Sequence, residues 1–162
     1  MKIIKNPRPP VGLRRLLFRS PILIYRLGLG AMFGRRLLLL HHVGRRTGAP
    51  RQTILEVVQY DPTDRSYVVA SGWGPQAAWY RNILDQPEVN VEVGDHTIPV
   101  TAEPLAEDVG AEIFARYAAR HPRIAAVALP RVLGISVDGS AADFRAAGRR
   151  MPFVRLAPRA PA

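Results

Sequence analysis

The sequence predicts a mainly β domain with a few helices, an α+β chain built around a small antiparallel barrel of about six strands. Six short segments with strand-like patterns are separated by turn-forming residues, a spacing typical of sandwiches and barrels. One helix follows the third strand, so the regular strand–helix alternation of a parallel α/β sheet is missing. The sequence has neither a GxGxxG fingerprint nor a Walker loop, which argues against a dinucleotide fold and an NTPase.

The positive charge of the chain is concentrated near its start. Residues 1–51 carry twelve Lys and Arg side chains and no Asp or Glu, whereas the rest carries eleven basic and thirteen acidic ones. The whole net charge of +10 therefore lies in the first third, which fits an anionic ligand, a lipid surface or nucleic acid. At 162 residues we expect one domain, with a basic arm and helix over 1–36 and the barrel over 37–157.

The N-terminal segment predicts an extended arm followed by a basic amphipathic helix. Three prolines in residues 1–10 favour the arm, and residues 11–33 combine leucines on one helical face with several arginines. Such a helix could lie on anionic lipid or cover one end of the barrel, and both interpretations stay open. We see no secretory signal or spanning segment, so we expect a cytoplasmic protein, with peripheral contact to the inner face of the membrane as an option.

The remaining elements follow from local patterns in the sequence. The predicted strands cover residues 37–43, 52–60, 66–71, 88–93, 96–103 and 153–156, and the predicted helices cover 77–86, 104–120, 124–133 and 141–150. In the long helix, Leu105, Val109, Ile113 and Tyr117 recur at a spacing of four and predict the buried face.

Residues 44–51, which we call the arginine loop, follow the first strand. Gly44 and Gly48 can adopt backbone angles closed to other residues, so amide N–H groups can face a ligand. Arg45, Arg46 and Arg51 offer planar guanidinium groups that suit phosphate or carboxylate. A hairpin with a solvated basic rim is the plain alternative, but three arginines within seven residues favour a site for a multiply charged anion.

The sequence predicts no metal site. It contains no cysteine, which excludes disulfides, thiolate catalysis and Cys-based clusters. His41 and His42 are adjacent on a predicted strand and point to opposite faces, so they cannot form a simple ligand pair. We interpret these two histidines and His96 as structural.

Two blocks of sequence together resemble a known family. The first is the arginine loop, Gly44-Arg45-Arg46-Thr47-Gly48-Ala49-Pro50-Arg51, and the second is Val69-Ala70-Ser71-Gly72 followed by Ala78-Trp79-Tyr80-Arg81-Asn82. In this order and at this spacing they resemble the signatures of the deazaflavin-dependent nitroreductase and F420H2-dependent quinone reductase family. The resemblance, which covers about residues 37–100, implies a split β-barrel of the FMN-binding type. It also implies an oxidoreductase that uses reduced coenzyme F420.

The resemblance further implies which residues hold the coenzyme. The arginine loop would hold the phosphate and carboxylate-rich tail, the start of the second strand would pass beside the ribityl chain, and the second block would contact and enclose the deazaflavin ring. Without the family, Trp79 and Tyr80 would be interpreted as a helix face packed in the core. The implied cofactor-binding residues are Arg45, Arg46, Thr47, Arg51, Gln52, Thr53, Ile54, Leu55, Val69, Ala70, Ser71, Gly72, Ala78, Trp79, Tyr80, Arg81 and Asn82.

The implied partner is a small electron-poor acceptor, namely a quinone, an enone or a nitro compound. Tyr80, Ser71 and Tyr117 are the candidate proton donors, with water as the alternative. After the long helix, nitroreductase members carry tyrosines where this chain has His121-Pro122-Arg123. The resemblance therefore does not imply activity on bulky nitroimidazoles.

Two other classes of function stay open at this point. The same barrel could bind FMN or haem instead of F420. The basic first third could serve a non-enzymatic module for nucleic acid or lipid, although aromatic residues do not interleave with it as base-stacking platforms do. We expect no nucleic-acid partner, and a homodimer would be in keeping with other split barrels.

Overall fold

The computed structural model describes residues 1–3, 27, 30–123, 126, 129–130 and 134–160. The helices with both ends in the described residues are α1 (Ala78–Asp85), α2 (Glu107–Arg120) and α3 (Ala141–Gly148), and Gly30–Phe33 and Gly74–Gln76 form 3-10 turns. The strands are β1 (Lys2–Ile3), β2 (Leu37–Val43), β3 (Pro50–Asp61), β4 (Ser66–Ala70), β5 (Glu88–Val93), β6 (His96–Pro104), β7 (Ile135–Ser136) and β8 (Phe153–Pro158).

Six of these strands form a closed barrel in the order β2-β3-β4-β8-β6-β5. All neighbouring pairs are antiparallel, and pairing between β2 and β5 closes the ring. The six predicted barrel strands are confirmed, with β3, β6 and β8 extending beyond the predicted ends and β4 ending one residue earlier. Strands β1 and β7 pair with each other outside the barrel, a contact that the sequence did not predict.

The interior of the barrel is filled by every second side chain of its strands, as expected for strands with one buried face. Helix α1 adds Trp79 and Ile83 to this interior cluster and so closes one end of the barrel. The strand residues of the cluster are Leu38, Leu40, Leu55, Tyr67, Val69, Val89, Val91, Val93, Val100, Ala102, Val154 and Leu156.

Helices α2 and α3 form a second layer against the outer faces of β4 and β8. Phe114 on α2 and Phe144 on α3 share a buried cluster with Val68 on β4 and Phe153 on β8. The two helices approach closely at Gly148, where a Cβ would lie 2.8 Å from the Cα of Ala111.

Helix α2 differs from its prediction in two respects. It begins at Glu107, because Pro104 still pairs with Val154 in the barrel. The predicted buried position Val109 was wrong, since its side chain is 49% exposed. The buried face includes Gly110, Ala111, Ile113, Phe114, Ala115, Tyr117 and Ala118, a stripe that follows the 3.6-residue period and not a strict spacing of four.

Two predicted helices cannot be compared in full with the structure. The one over 11–33 falls outside the described residues except for Leu27 and the turn Gly30–Phe33, and much of the one over 124–133 also lies outside them. In the described part of the chain, no helix combines the length and the apolar character that crossing a membrane requires.

Candidate functional site

The arginine loop is a tight turn between β2 and β3 whose shape depends on its glycines. The Gly44 amide donates to the Ala49 carbonyl at 2.9 Å, and the Gly48 amide donates to the Gly44 carbonyl at 2.7 Å. Gly48 has a φ of +65°, which favours glycine. A Cβ at Gly44 would lie 2.7 Å from Thr47 Oγ1, so a larger residue there would have to displace the Thr47 side chain. The sequence thus fixes the path of the loop that carries the arginines.

The site has a concentration of positive charge without carboxylate partners. Among the described residues, none of the guanidinium groups of Arg45, Arg46, Arg51 and Arg81 forms an ion pair, whereas four arginines elsewhere do, namely Arg145, Arg149, Arg155 and Arg159. Partial burial, followed by the charges of Arg81 and Arg46, lowers the pKa of Arg45, although Asp85 acts in the opposite direction. Such a cluster is well suited to a multiply charged anion.

Asn82 on α1 connects the helix to both the arginine loop and β2. Its side chain is only 5% exposed. Its Oδ1 accepts hydrogen bonds from the Arg45 amide at 3.2 Å and from Arg45 Nη1 at 3.3 Å. Its Nδ2 lies 2.9 Å from Nδ1 of the buried His42. Burial, and then the charges of Arg51 and His41, lower the pKa of His42 to about 4, so this imidazole is neutral at physiological pH.

The first residues of β3 continue from the arginine loop into the barrel. Gln52, Thr53 and Ile54 are half-buried, and Leu55 belongs to the interior cluster. Gln52 Nε2 lies 3.3 Å from His41 Nδ1, and the other ring nitrogen of His41 lies 2.6 Å from Glu92. His41 therefore has a structural role, bridging β3 and β5.

The second block forms a loop and a helix beside the barrel end. Ser71 is fully buried, and its hydroxyl donates to the Gly74 carbonyl at 2.6 Å. Trp79 is 7% exposed and fills the end of the barrel, as the core interpretation predicted. Tyr80 is half-buried and meets Trp79 edge-on, with ring centroids 5.9 Å apart.

The remaining predicted residues of the second block lie on the same elements. Val69 is buried in the interior cluster, Ala70 and Gly72 are half-buried, and Ala78 and Arg81 are exposed. The arginine loop and the second block meet through α1, because Asn82 on this helix binds Arg45. The structure therefore brings the two sequence blocks together at one end of the barrel.

Tyr117, the third candidate proton donor, lies in a different environment. It belongs to the outer cluster of α2 and α3, whereas Trp79 and Tyr80 belong to the interior one. Its hydroxyl donates to Glu56 Oε1. Burial, and then this hydrogen bond and the charge of Glu56, raise the pKa of Tyr117 above its ordinary value.

Sequence reasoning missed the part that His42 plays in the site. The sequence carried a usable signal, because strand periodicity places His42 on the same face as Leu38 and Leu40, which point into the barrel. A buried histidine beside an asparagine and an arginine needs a hydrogen-bond partner, and Asn82 provides it.

Comparison with models of known families identifies the family of this chain. A family model described as F420H(2)-dependent quinone reductase matches residues 25–138. The chain belongs to the F420H(2)-dependent quinone reductase family. The arginine loop and the second block both lie within the matched residues, so the resemblance inferred from the sequence is confirmed.

Curated members of this family come from Mycobacterium tuberculosis. The proteins of strains H37Rv and CDC 1551, each described as an F420H(2)-dependent quinone reductase, are 37% identical to this chain over 90 residues. The aligned part covers 51% of this chain and 58% of each relative. The chain thus aligns with less than two thirds of the length of these relatives.

Solved structures share the fold of this family member. One, described as an F420-H2 dependent reductase, has a TM-score of 0.51 at 21% identity and covers 76% of this chain and 95% of its own. A haem storage protein from Vibrio cholerae has a TM-score of 0.52 at 15% identity over 88% and 91% of the two chains. At these identities the likeness shows that the split-barrel fold is shared.

Proposed function

We propose that this protein is an oxidoreductase that uses reduced coenzyme F420 to reduce a quinone. The main support is the arginine loop, which lies within the residues that match the family model. Its arginines form no ion pair with a carboxylate among the described residues. When bound, the reduced deazaflavin supplies the hydride. The protein then has to bind, orient and shield the coenzyme, which its residues can do without cysteine or metal.

The arginine loop fits the anionic tail of this coenzyme. Arg45, Arg46, Thr47 and Arg51 would hold the phosphate and carboxylate groups, with Arg81 adding charge from α1. Guanidinium groups bind such oxygens in a bidentate fashion, and Arg51 Nε lies beside the turn, 3.7 Å from where a Cβ of residue 44 would be.

The ring would lie against the second block and the start of β3. The residues proposed for this part are Gln52, Thr53, Ile54, Leu55, Val69, Ala70, Ser71, Gly72, Ala78, Trp79 and Tyr80. This proposal is supported by the position of these segments, which lie next to one another at the end of the barrel that α1 closes.

Tyr80 is the proposed proton donor. Its hydroxyl forms no hydrogen bond within the described part of the chain, and its ring is half-buried next to Trp79. The hydroxyl of Ser71 already donates to Gly74, and that of Tyr117 donates to Glu56. Tyr80 Oη is therefore the candidate group that can deliver a proton to the reduced acceptor.

Quinones are the first acceptor class to test, and enones and nitro compounds are the next. The names of the curated relatives support quinones. The described residues His121, Pro122 and Arg123 after α2 are exposed, and they lack the tyrosines of the nitroreductase members. We propose that bulky nitroimidazoles are poor acceptors for this reason.

The decisive experiment is a fluorescence titration with coenzyme F420, followed by anaerobic turnover of the reduced coenzyme with a soluble quinone. We expect saturable binding at micromolar coenzyme and quinone-dependent oxidation. Absence of binding at these concentrations would reject the proposal. A purified protein with flavin or haem absorption would instead favour the FMN or haem alternative, and steep salt-dependent DNA binding without coenzyme binding would favour the non-enzymatic one.

Contact with a membrane surface is a separate part of the proposal. Residues 1–36 carry nine basic and no acidic side chains, which suits anionic lipid. Co-sedimentation with anionic vesicles should fall when residues 1–33 are deleted. Unchanged sedimentation would remove the membrane component and leave the assignment of the coenzyme untouched.

A further inference from the structure

The partners of Asn82 determine how its side-chain amide is oriented. The main-chain N–H of Arg45 is a donor, so the Asn82 atom 3.2 Å away is the oxygen Oδ1. The other end, Nδ2, therefore faces Nδ1 of His42 and donates to it. His42 can accept only as a neutral ring with its proton on Nε2. We call this arrangement of Asn82 between His42 and Arg45 the Asn82 bridge.

We infer that Asn82 is a positioning residue, which with His42 holds Arg45 ready for the anionic tail of the coenzyme and does not itself bind the coenzyme. This inference rests on the proposed function. Asn82 is 5% exposed and both ends of its amide are engaged inside the protein. Arg45 uses one of its five guanidinium N–H groups on Asn82, which leaves the others for a ligand.

The surroundings of His42 keep the Asn82 bridge intact at neutral pH. The positively charged Arg51 on β3 and the neighbouring His41 on β2 both disfavour an imidazolium at this position. A charged His42 would donate from Nδ1, and the Asn82 amide would then have to turn and present its NH2 group to Arg45. Both hydrogen bonds to Arg45 would be lost, so the position of Arg45 depends on a neutral His42.

The first test uses the protein without coenzyme. In Asn82→Ala, hydrogen exchange of the Arg45 amide should become about tenfold faster, equivalent to about 1.4 kcal/mol, because the amide loses its acceptor. Asn90→Ala is the matched control, because Asn90 is an exposed asparagine on β5. Unchanged exchange of the Arg45 amide in Asn82→Ala would overturn the inference.

Two pairs of variants separate positioning from a general loss of structure. Asn82→Asp keeps an acceptor for Arg45 but cannot donate to a neutral His42, so the Arg45 amide should stay protected while His42 titrates at higher pH by NMR. His42→Asn keeps an acceptor near the place of Nδ1 and should resemble wild type, whereas His42→Leu removes it and should resemble Asn82→Ala. Equal exchange rates in His42→Asn and His42→Leu would contradict the Asn82 bridge.

Coenzyme titrations connect the Asn82 bridge to binding. The affinity for F420 should fall about tenfold in Asn82→Ala and in Asn82→Asp, the latter because a carboxylate beside Arg45 competes with the tail. Asn90→Ala should bind as wild type does. If wild type fails to bind F420, the proposed function is rejected. The exchange data on the coenzyme-free protein then still show whether the Asn82 bridge holds Arg45. If the variants bind F420 as wild type does, the inferred role in binding is rejected.

Discussion

Tyr117 on α2 donates a hydrogen bond to Glu56 on β3, and this contact ties the outer helical layer to the barrel wall. The hydroxyl is therefore committed to a structural contact on the outside of the barrel. Because of this environment, Tyr117 should affect how the free energy of unfolding changes at alkaline pH.

Tyr117 should make the protein lose stability as the pH rises. Its folded-state pKa is raised above the ordinary value of 10.0, so its stabilising contribution is complete below pH 10 and is lost as the pH rises further. The free energy of unfolding of wild type should thus fall above pH 10 more steeply than that of Tyr117→Phe. At neutral pH the variant should be less stable by about 1–2 kcal/mol. Identical pH profiles for the two proteins would contradict this assignment.

Replacement of Tyr80 should affect the chemical step. With a quinone acceptor, Tyr80→Phe should lower kcat by about 100-fold if Tyr80 delivers the proton, and coenzyme affinity should change little. Tyr117→Phe is the matched control and should leave kcat close to wild type. A normal kcat in Tyr80→Phe would assign the proton to water or to Ser71.

Loss of an arginine from the loop should weaken binding of the coenzyme tail. Arg51→Ala should reduce F420 affinity by about 10- to 100-fold, the usual effect of losing hydrogen bonds to charged groups. The effect should disappear with a deazaflavin fragment that lacks the phosphate and carboxylate tail. Arg120→Ala, at an exposed position in the last turn of α2, is the control and should bind as wild type does. A loss equal for the fragment and the intact coenzyme would show that Arg51 acts elsewhere.

The close contact of α2 and α3 should be intolerant of added volume. In Gly148→Ala the new Cβ would lie 2.8 Å from the Ala111 Cα, and backbone cannot move aside as a flexible side chain can. Thermal unfolding should show a loss of about 1–3 kcal/mol. Ala142→Ser adds one heavy atom at an exposed position of α3 and should be nearly neutral. Wild-type stability in Gly148→Ala would mean that the two helices can separate at little cost.

His42 should make the fold sensitive to acid. Its folded-state pKa of about 4 lies below the ordinary 6.5, so its contribution is complete above pH 6.5 and is lost as the pH falls toward 4. Between pH 6.5 and pH 4, the free energy of unfolding of wild type should fall by up to about 3 kcal/mol more than that of His42→Asn. Chemical denaturation at several pH values measures the difference, and parallel curves would disprove the effect.

Much of the barrel could be predicted because its strands carry strong local signals. Alternating valines in β5 and the apolar run of β2 predicted both strands with their observed bounds. The glycines of the arginine loop likewise predicted a turn, because their backbone requirements are local.

The remaining features depend on contacts between distant residues. Because Pro104 pairs with Val154, Pro104 belongs to strand β6, and α2 begins three residues later, at Glu107. The Asn82 bridge joins residues that are 37 and 40 positions apart, and no local periodicity encodes it. Val109 was misplaced because the side on which α2 packs is set by the barrel and by α3, not by the helix alone.

The closed strand order has a consequence for assembly. Each of the six barrel strands has a neighbour on both sides, so no barrel strand offers a wholly free main-chain edge for intermolecular sheet extension. Pairing along the whole edge of a barrel strand would require a neighbouring strand to leave the ring, whereas the two-stranded sheet of β1 and β7 lies outside it. Any dimer that preserves the ring must bind through side chains or through segments outside it.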